Sequence, residues 1–223
     1  MTTAIKTLTD DDAHKLLHFL RTDHHTNRQQ LLCVRNYVIA CVMLEAGLRV
    51  GELVQLTVQH LWFLEHPVTN LIVTSDIAKN HNKREVPVSV YLRNAINFLA
   101  NDFWRDKCPH AGMNAFGSSS SGLELTTRQV ERILSKAGMK SLNRPVNPHL
   151  LRHTFATRLS RVTNIRIVQL LLGHSNLSST QIYTHPNAED LKSAIDAVDD
   201  DNHYSAANAA RIARAMNGPN PVE

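Results

Sequence analysis

Six side chains suited to phosphate ester chemistry recur at definite places in this chain. The segment Gly47-Leu48-Arg49-Val50-Gly51-Glu52-Leu53 carries one arginine, and His149-Leu150-Leu151-Arg152 carries a histidine and a second arginine. Lys79 stands eight residues before Pro87, Leu172-Gly173-His174 supplies another imidazole, and Tyr183 follows His174 by nine residues in Ile182-Tyr183-Thr184-His185. Two guanidinium groups can fork onto the non-bridging oxygens of a phosphodiester, and their charge persists at any cellular pH. Such a clamp stabilises the added negative charge of a pentavalent phosphorus. Arg49 follows a glycine turn near a helix N-terminus, where backbone N–H groups also favour anions. A tyrosine hydroxyl titrates near pH 10, so a nucleophilic role needs a proton acceptor and neighbouring cations. His149 is a candidate acid/base, and His174 can hydrogen-bond a non-bridging oxygen. A departing alkoxide needs a proton donor, for which Lys79 and Lys83 on one polar turn are candidates.

Taken singly, each of these residues has an ordinary reading. Arg49 can be a salt-bridged arginine, with Glu45 or Glu52 as partner. Lys83 and Arg84 read as contacts to a phosphate backbone or to solvent. Tyr37, Tyr91 and Tyr204 have no such company and read as structural or surface residues. His149 and His153 lie four apart, as in a zinc-binding helix, but Leu-Leu-Arg separates them. The metalloprotease glutamate is therefore missing, and an arginine would repel a divalent cation. His14, His18, His24 and His25 read as exposed histidines. No metal site and no cofactor site is expected.

Periodicity supplies the elements that must hold these groups. Thr9 before Asp10, Asp11 and Asp12 is an N-cap with acids in the first turn, and Leu16, Leu17 and Leu20 give a helical stripe. Thr22 to Gln30 reads as a loop. Leu31 to Glu45 reads as a buried helix stopped by Gly47. A helix follows at about Val50 to Leu56. Leu61 to Ser75 reads as a strand pair, the Lys79 to Lys83 turn leads to a strand over Arg84 to Val88, and the three strands predict one small antiparallel sheet. Helical periodicity returns over Leu92 to Trp104. Thr126 and Gln129 form a capping box opening a helix to about Ala137. Helices are expected at about Leu150–Arg161 and Ile165–Leu172, with Gly173 as a stop. Two short helical patterns, about Ala188–Val198 and Ser205–Met216, make up the tail.

The five segments, in this order and spacing, resemble the tyrosine recombinase (phage integrase) family, most closely its Xer-like branch, from about Leu8 to His185. The resemblance implies a mainly α fold with a small three-stranded antiparallel sheet. It implies the catalytic set Arg49, Lys79, His149, Arg152, His174 and Tyr183, with Lys79 as the matched proton donor. It further implies a 3′-phosphotyrosyl intermediate on double-stranded DNA, strand exchange through a Holliday junction in a ring of four protomers, and no metal or ATP. Residues 1–185 are then the catalytic domain, and residues 186–223 a tail that docks on a neighbouring protomer or folds back on its own domain. The pattern begins within the first ten residues, so the expectation is a minimal member without the N-terminal DNA-clamping domain, with an excised catalytic fragment as the alternative. Such a one-sided grip calls on cooperativity or an accessory DNA-binding protein. A catalytically silent DNA-binding protein of the same fold, or a type IB topoisomerase-like relaxing enzyme, are the alternatives.

Composition agrees with a nucleic-acid partner. The 223 residues carry a net charge of +4, but 186–223 hold seven acids and three bases, leaving the other 185 residues at +8. A basic body attracts polyanions. The N-terminus lacks a basic segment followed by an apolar one, and the longest apolar run, Val38 to Leu44, is too short to span a bilayer. Cys33, Cys41 and Cys108 fit neither a disulfide framework nor a zinc ribbon, so reduced thiols and a cytoplasmic location are expected.

Overall fold

The apolar run Val38 to Leu44 lies at the centre of the fold, each residue at most 2% exposed. A helix apolar on all sides must be surrounded, and this one is. The computed structural model describes residues 7–22, 26–78, 83–105, 109–117 and 124–173. In it α2 (Asn27–Ala46) packs against α1 (Asp10–Thr22), α5 (Val90–Phe98), a π-helical continuation of α5 (Leu99–Trp104) and α7 (Pro148–Val162). The chain also forms α3 (Val50–Leu53), α4 (Val58–Leu61), α6 (Thr127–Leu142) and α8 (Ile165–Leu172).

The helix ends follow the local chemistry of the sequence. Thr9 Oγ1 accepts from the Asp12 amide at 3.1 Å. The acids behind it do more than offset the helix dipole: Asp12 binds Arg144 and Asp10 binds Arg158, each at 2.6 Å, tying α1 to the α6–α7 turn and to α7. Thr126 Oγ1 accepts from the Gln129 amide at 3.2 Å while the Thr126 amide donates to Gln129 Oε1 at 2.8 Å, the expected capping box. Asn147 caps α7 through the Leu150 amide at 2.8 Å, and Pro148 fills the first helical position, where its missing N–H costs nothing. Gly47 and Gly173 both stop helices in the left-handed region, at φ 59° and 64°.

The sheet departs from expectation. Instead of one three-stranded sheet there are two separate two-stranded ones, β1 (Trp62–Phe63) with β2 (His66–Pro67), and β3 (Asn70–Val73) with β4 (Arg84–Pro87). Leu64 and Glu65 both take positive φ, closing a two-residue hairpin that uses up the first strand. β2 ends at Pro67, which has no amide hydrogen with which to extend a ladder. The remaining pair runs in register from Asn70 opposite Pro87 to Val73 opposite Arg84.

Other boundaries shift. Thr26 caps α2 by accepting from the Gln29 amide, so the expected loop over Thr22 to Gln30 is shorter. α3 stops at Leu53, and α6 continues past Ala137 to Leu142, where Asn143 turns left-handed at φ 53°. Cys33 and Cys41 are buried. The four-serine run, Cys108 and the tail lie outside the described residues.

Candidate active site

Arg49 and, about a hundred residues later in sequence, His149 and Arg152 line one cleft of about 800 Å3. Its wall comes from the α2–α3 turn and α3, the first turn of α7, and Thr127 and Glu131 of α6. Lys79, His174 and Tyr183 lie outside the described residues. Tyr37, read from sequence as structural, is buried and its hydroxyl lies 3.0 Å from that of Tyr91. Tyr204 lies outside the described residues.

Backbone carbonyls fix the Arg152 side chain, which belongs to a residue 5% exposed. Its Nη1 donates to the carbonyl of Gly47 and its Nη2 to that of Leu172, at 2.7 Å. One guanidinium thus joins the end of α2 to the end of α8. The close approach of α7 here requires glycine at position 47, because a Cβ would lie 2.3 Å from Phe155 Cδ1. Arg49 is held mainly by Glu52. Its Nη1 donates to Glu52 Oε1 at 2.9 Å, its amide donates to Glu52 Oε2 at 2.8 Å, and its Nη2 reaches the Gly173 carbonyl at 3.5 Å.

His149 is exposed at the second position of α7, with its ring edge-on to that of His153 and 3.9 Å between centroids. Partial burial and the nearby Arg152 charge hold its pKa below the usual imidazole value. It is therefore neutral at neutral pH and can accept a proton. His153 is pushed down to about 4 by burial and by the neighbouring His149 and Arg152. The two edge-to-face imidazoles consequently add no standing charge to the cleft near pH 7.

Sequence reasoning placed Arg84 at the surface, and the structure corrects this. Arg84 is buried, with its η nitrogens 2.9 and 2.6 Å from Glu52 Oε1 and Oε2, and its Nε 3.0 Å from the Leu171 carbonyl. Burial alone would raise the Glu52 pKa, but Arg84 and Arg49 reverse this and hold it below the ordinary carboxylate value. The signal was present in the alternation of β4. Arg84 and Val86 are buried while Glu85 and Pro87 are exposed, so Arg84 shares the inward face with Val86. Lys83 is exposed, as expected.

A mainly helical domain whose helix ends bring two arginines and a histidine into one cleft is a fold already represented among solved structures. The crystal structure of XerA recombinase superposes with a TM-score of 0.66 at 28% identity, covering 87% of this chain and 65% of that one. The catalytic domain of bacteriophage HP1 integrase gives a TM-score of 0.53 at 23% identity, covering 86% and 94%. The profile of the phage integrase family matches residues 6–190, and the chain belongs to that family of tyrosine recombinases. Tyrosine recombinase XerC of Escherichia coli O127:H6 is 37% identical over 175 residues, 74% of this chain and 53% of that protein. XerC of Proteus mirabilis is 37% identical over 169 residues, 74% of this chain and 52% of that protein. The chain therefore spans about half the length of these curated relatives.

Proposed function

We propose that this protein is a site-specific DNA recombinase that cleaves and rejoins strands through a 3′-phosphotyrosyl intermediate. The observation that carries this reading is the convergence of Arg49, His149 and Arg152 on one cleft. Family membership supports it, as do relatives described as recombinases and a XerH site-specific recombinase structure described as bound to palindromic difH substrate in a post-cleavage complex.

In this reading Arg49 and Arg152 bind the non-bridging oxygens and stabilise the charge that grows on them. The Tyr183 oxygen attacks phosphorus and passes its proton to His149. The bond from phosphorus to the 5′ oxygen breaks, and Lys79 protonates that oxygen, leaving a free 5′ hydroxyl. His174 hydrogen-bonds a non-bridging oxygen. A 5′ hydroxyl of the partner duplex then attacks the phosphotyrosyl bond, releases Tyr183 and takes over its phosphate. One phosphodiester is consumed and one formed, so no external energy source is needed. The reading extends to four protomers on DNA, to a catalytic part over 1–185, and to a tail over 186–223 docking on a neighbour. It extends also to a cytoplasmic location.

Sequencing the DNA that remains bound to the protein after denaturation of expressing cells tests the proposal. A recurring sequence joined through its 3′ end is expected. Absence of covalently held DNA would instead mark a silent DNA-binding protein, and adducts scattered over all sequences would mark a relaxing enzyme.

A further inference from the structure

Three consecutive carbonyls at the C-terminal end of α8 each accept from a different arginine: Leu171 from Arg84, Leu172 from Arg152 and Gly173 from Arg49. Helix C-termini carry partial negative charge and suit cations. The cluster also contains one buried carboxylate. Glu52 is 1% exposed, and its Oε1 is shared evenly, 2.9 Å from Nη1 of Arg49 and 2.9 Å from Nη1 of Arg84. Its Oε2 takes the second prong of Arg84 at 2.6 Å and the Arg49 amide at 2.8 Å.

We propose that Arg84 is a positioning residue that neutralises Glu52, so that the positive charge of Arg49 remains available to the phosphate. Arg84 is not among the residues lining the cleft, so it acts through Glu52 and not by touching substrate. Three guanidinium groups and one carboxylate leave the cluster with two net positive charges. Without Arg84, Glu52 answers Arg49 alone, and that pair presents no net charge to an incoming anion. Glu52 cannot simply be dispensed with, because it fixes the Arg49 backbone and side chain together. The fold makes room for this arrangement. At Gly173, with φ 64°, a Cβ would sit 3.0 Å from Arg84 Cδ and 3.2 Å from its Nη1.

This inference rests on the strand-cleavage reading, and the test separates the two. The probe is a nicked duplex carrying the sequence recovered from wild-type adducts, and the readout is the rate of covalent adduct formation. Failure of the wild-type protein to form any adduct would overturn the functional reading itself. Where the wild type reacts, Arg84→Gln lowers the rate about 10- to 100-fold, the scale of one charge-assisted hydrogen bond. In an Glu52→Gln background the same substitution costs less than about threefold, because no buried carboxylate remains to be neutralised. An equal loss in both backgrounds, or no loss in either, overturns the proposal. Should Arg84→Gln fail to fold, as judged by circular dichroism, Arg84→Lys keeps the charge that neutralises Glu52 and should stay within about threefold of the wild-type rate, and a loss as large as that expected for glutamine overturns the proposal.

Discussion

Replacing Gly47 by alanine should destabilise the protein and disturb the cleft, whereas the same change at Gly51 should not destabilise it. At position 47 the backbone is left-handed, φ 59°, which costs a residue with a Cβ about 1–2 kcal/mol. The new methyl would also lie 2.3 Å from Phe155 Cδ1 and 2.7 Å from Cε1, so the ring must move. Overpacking of this kind costs about 1–3 kcal/mol. Together the two effects give about 2–5 kcal/mol, a drop in Tm of roughly 4–20 °C for a domain of this size. The carbonyl of Gly47 holds Arg152, so any backbone shift is passed directly to the clamp. At Gly51 a Cβ meets nothing within 4 Å and φ is outside the left-handed region. Alanine there removes unfolded-chain entropy and changes stability by about 0 to +1 kcal/mol. Urea unfolding of both variants, monitored by circular dichroism, measures the difference at constant m-value. A Gly47→Ala protein within about 0.5 kcal/mol of wild type, or a Gly51→Ala protein that falls as far, would refute the packing argument.

Three further outcomes follow from the same geometry. Arg152→Ala should reduce strand cleavage by about a hundredfold or more while DNA affinity changes only modestly, since one transition-state contact is lost among many phosphate contacts. A gel-shift titration beside an adduct assay reads the two separately. Glu52 has a folded pKa held below its unfolded value, so its contribution to stability is present above the ordinary carboxylate pKa and is lost as pH falls through the folded one. Acid unfolding curves for Glu52→Gln should therefore be flatter on the acid side than those of the wild type. Cleavage should persist in EDTA, and loss of activity that zinc restores would revive a metal role for the His149–His153 pair.

The sequence carried the helical frame well because its signals are local. Thr9, Thr126, Gly47 and Gly173 each do at short range what their residue types imply. The unbroken apolar run over Val38 to Leu44 likewise announced a helix buried on all sides. The sheet was misjudged because two strong β segments do not reveal where a tight turn divides them. The positive φ values at Leu64 and Glu65, neither of them glycine, have no sequence signature. At the cleft, the motif spacing pointed to Arg49, His149 and Arg152, and Glu52 was a foreseeable partner of Arg49, yet the carbonyls that hold Arg152 were not. Arg84 looked like a solvent or phosphate contact because it follows a lysine in a polar turn. Only the pairing of β4 turns it inward against Glu52, an ion pair spanning 32 positions in the chain.

The central claim is that the cleft serves a tyrosine nucleophile acting on one DNA phosphate. It is tested most directly by peptide mass spectrometry of the covalent adduct trapped on a nicked duplex. The account predicts a 3′-phosphonucleotide on the peptide containing Tyr183, and none in a Tyr183→Phe protein that still binds the duplex. A nucleotide on any other residue, or an adduct that survives the phenylalanine substitution, would contradict it.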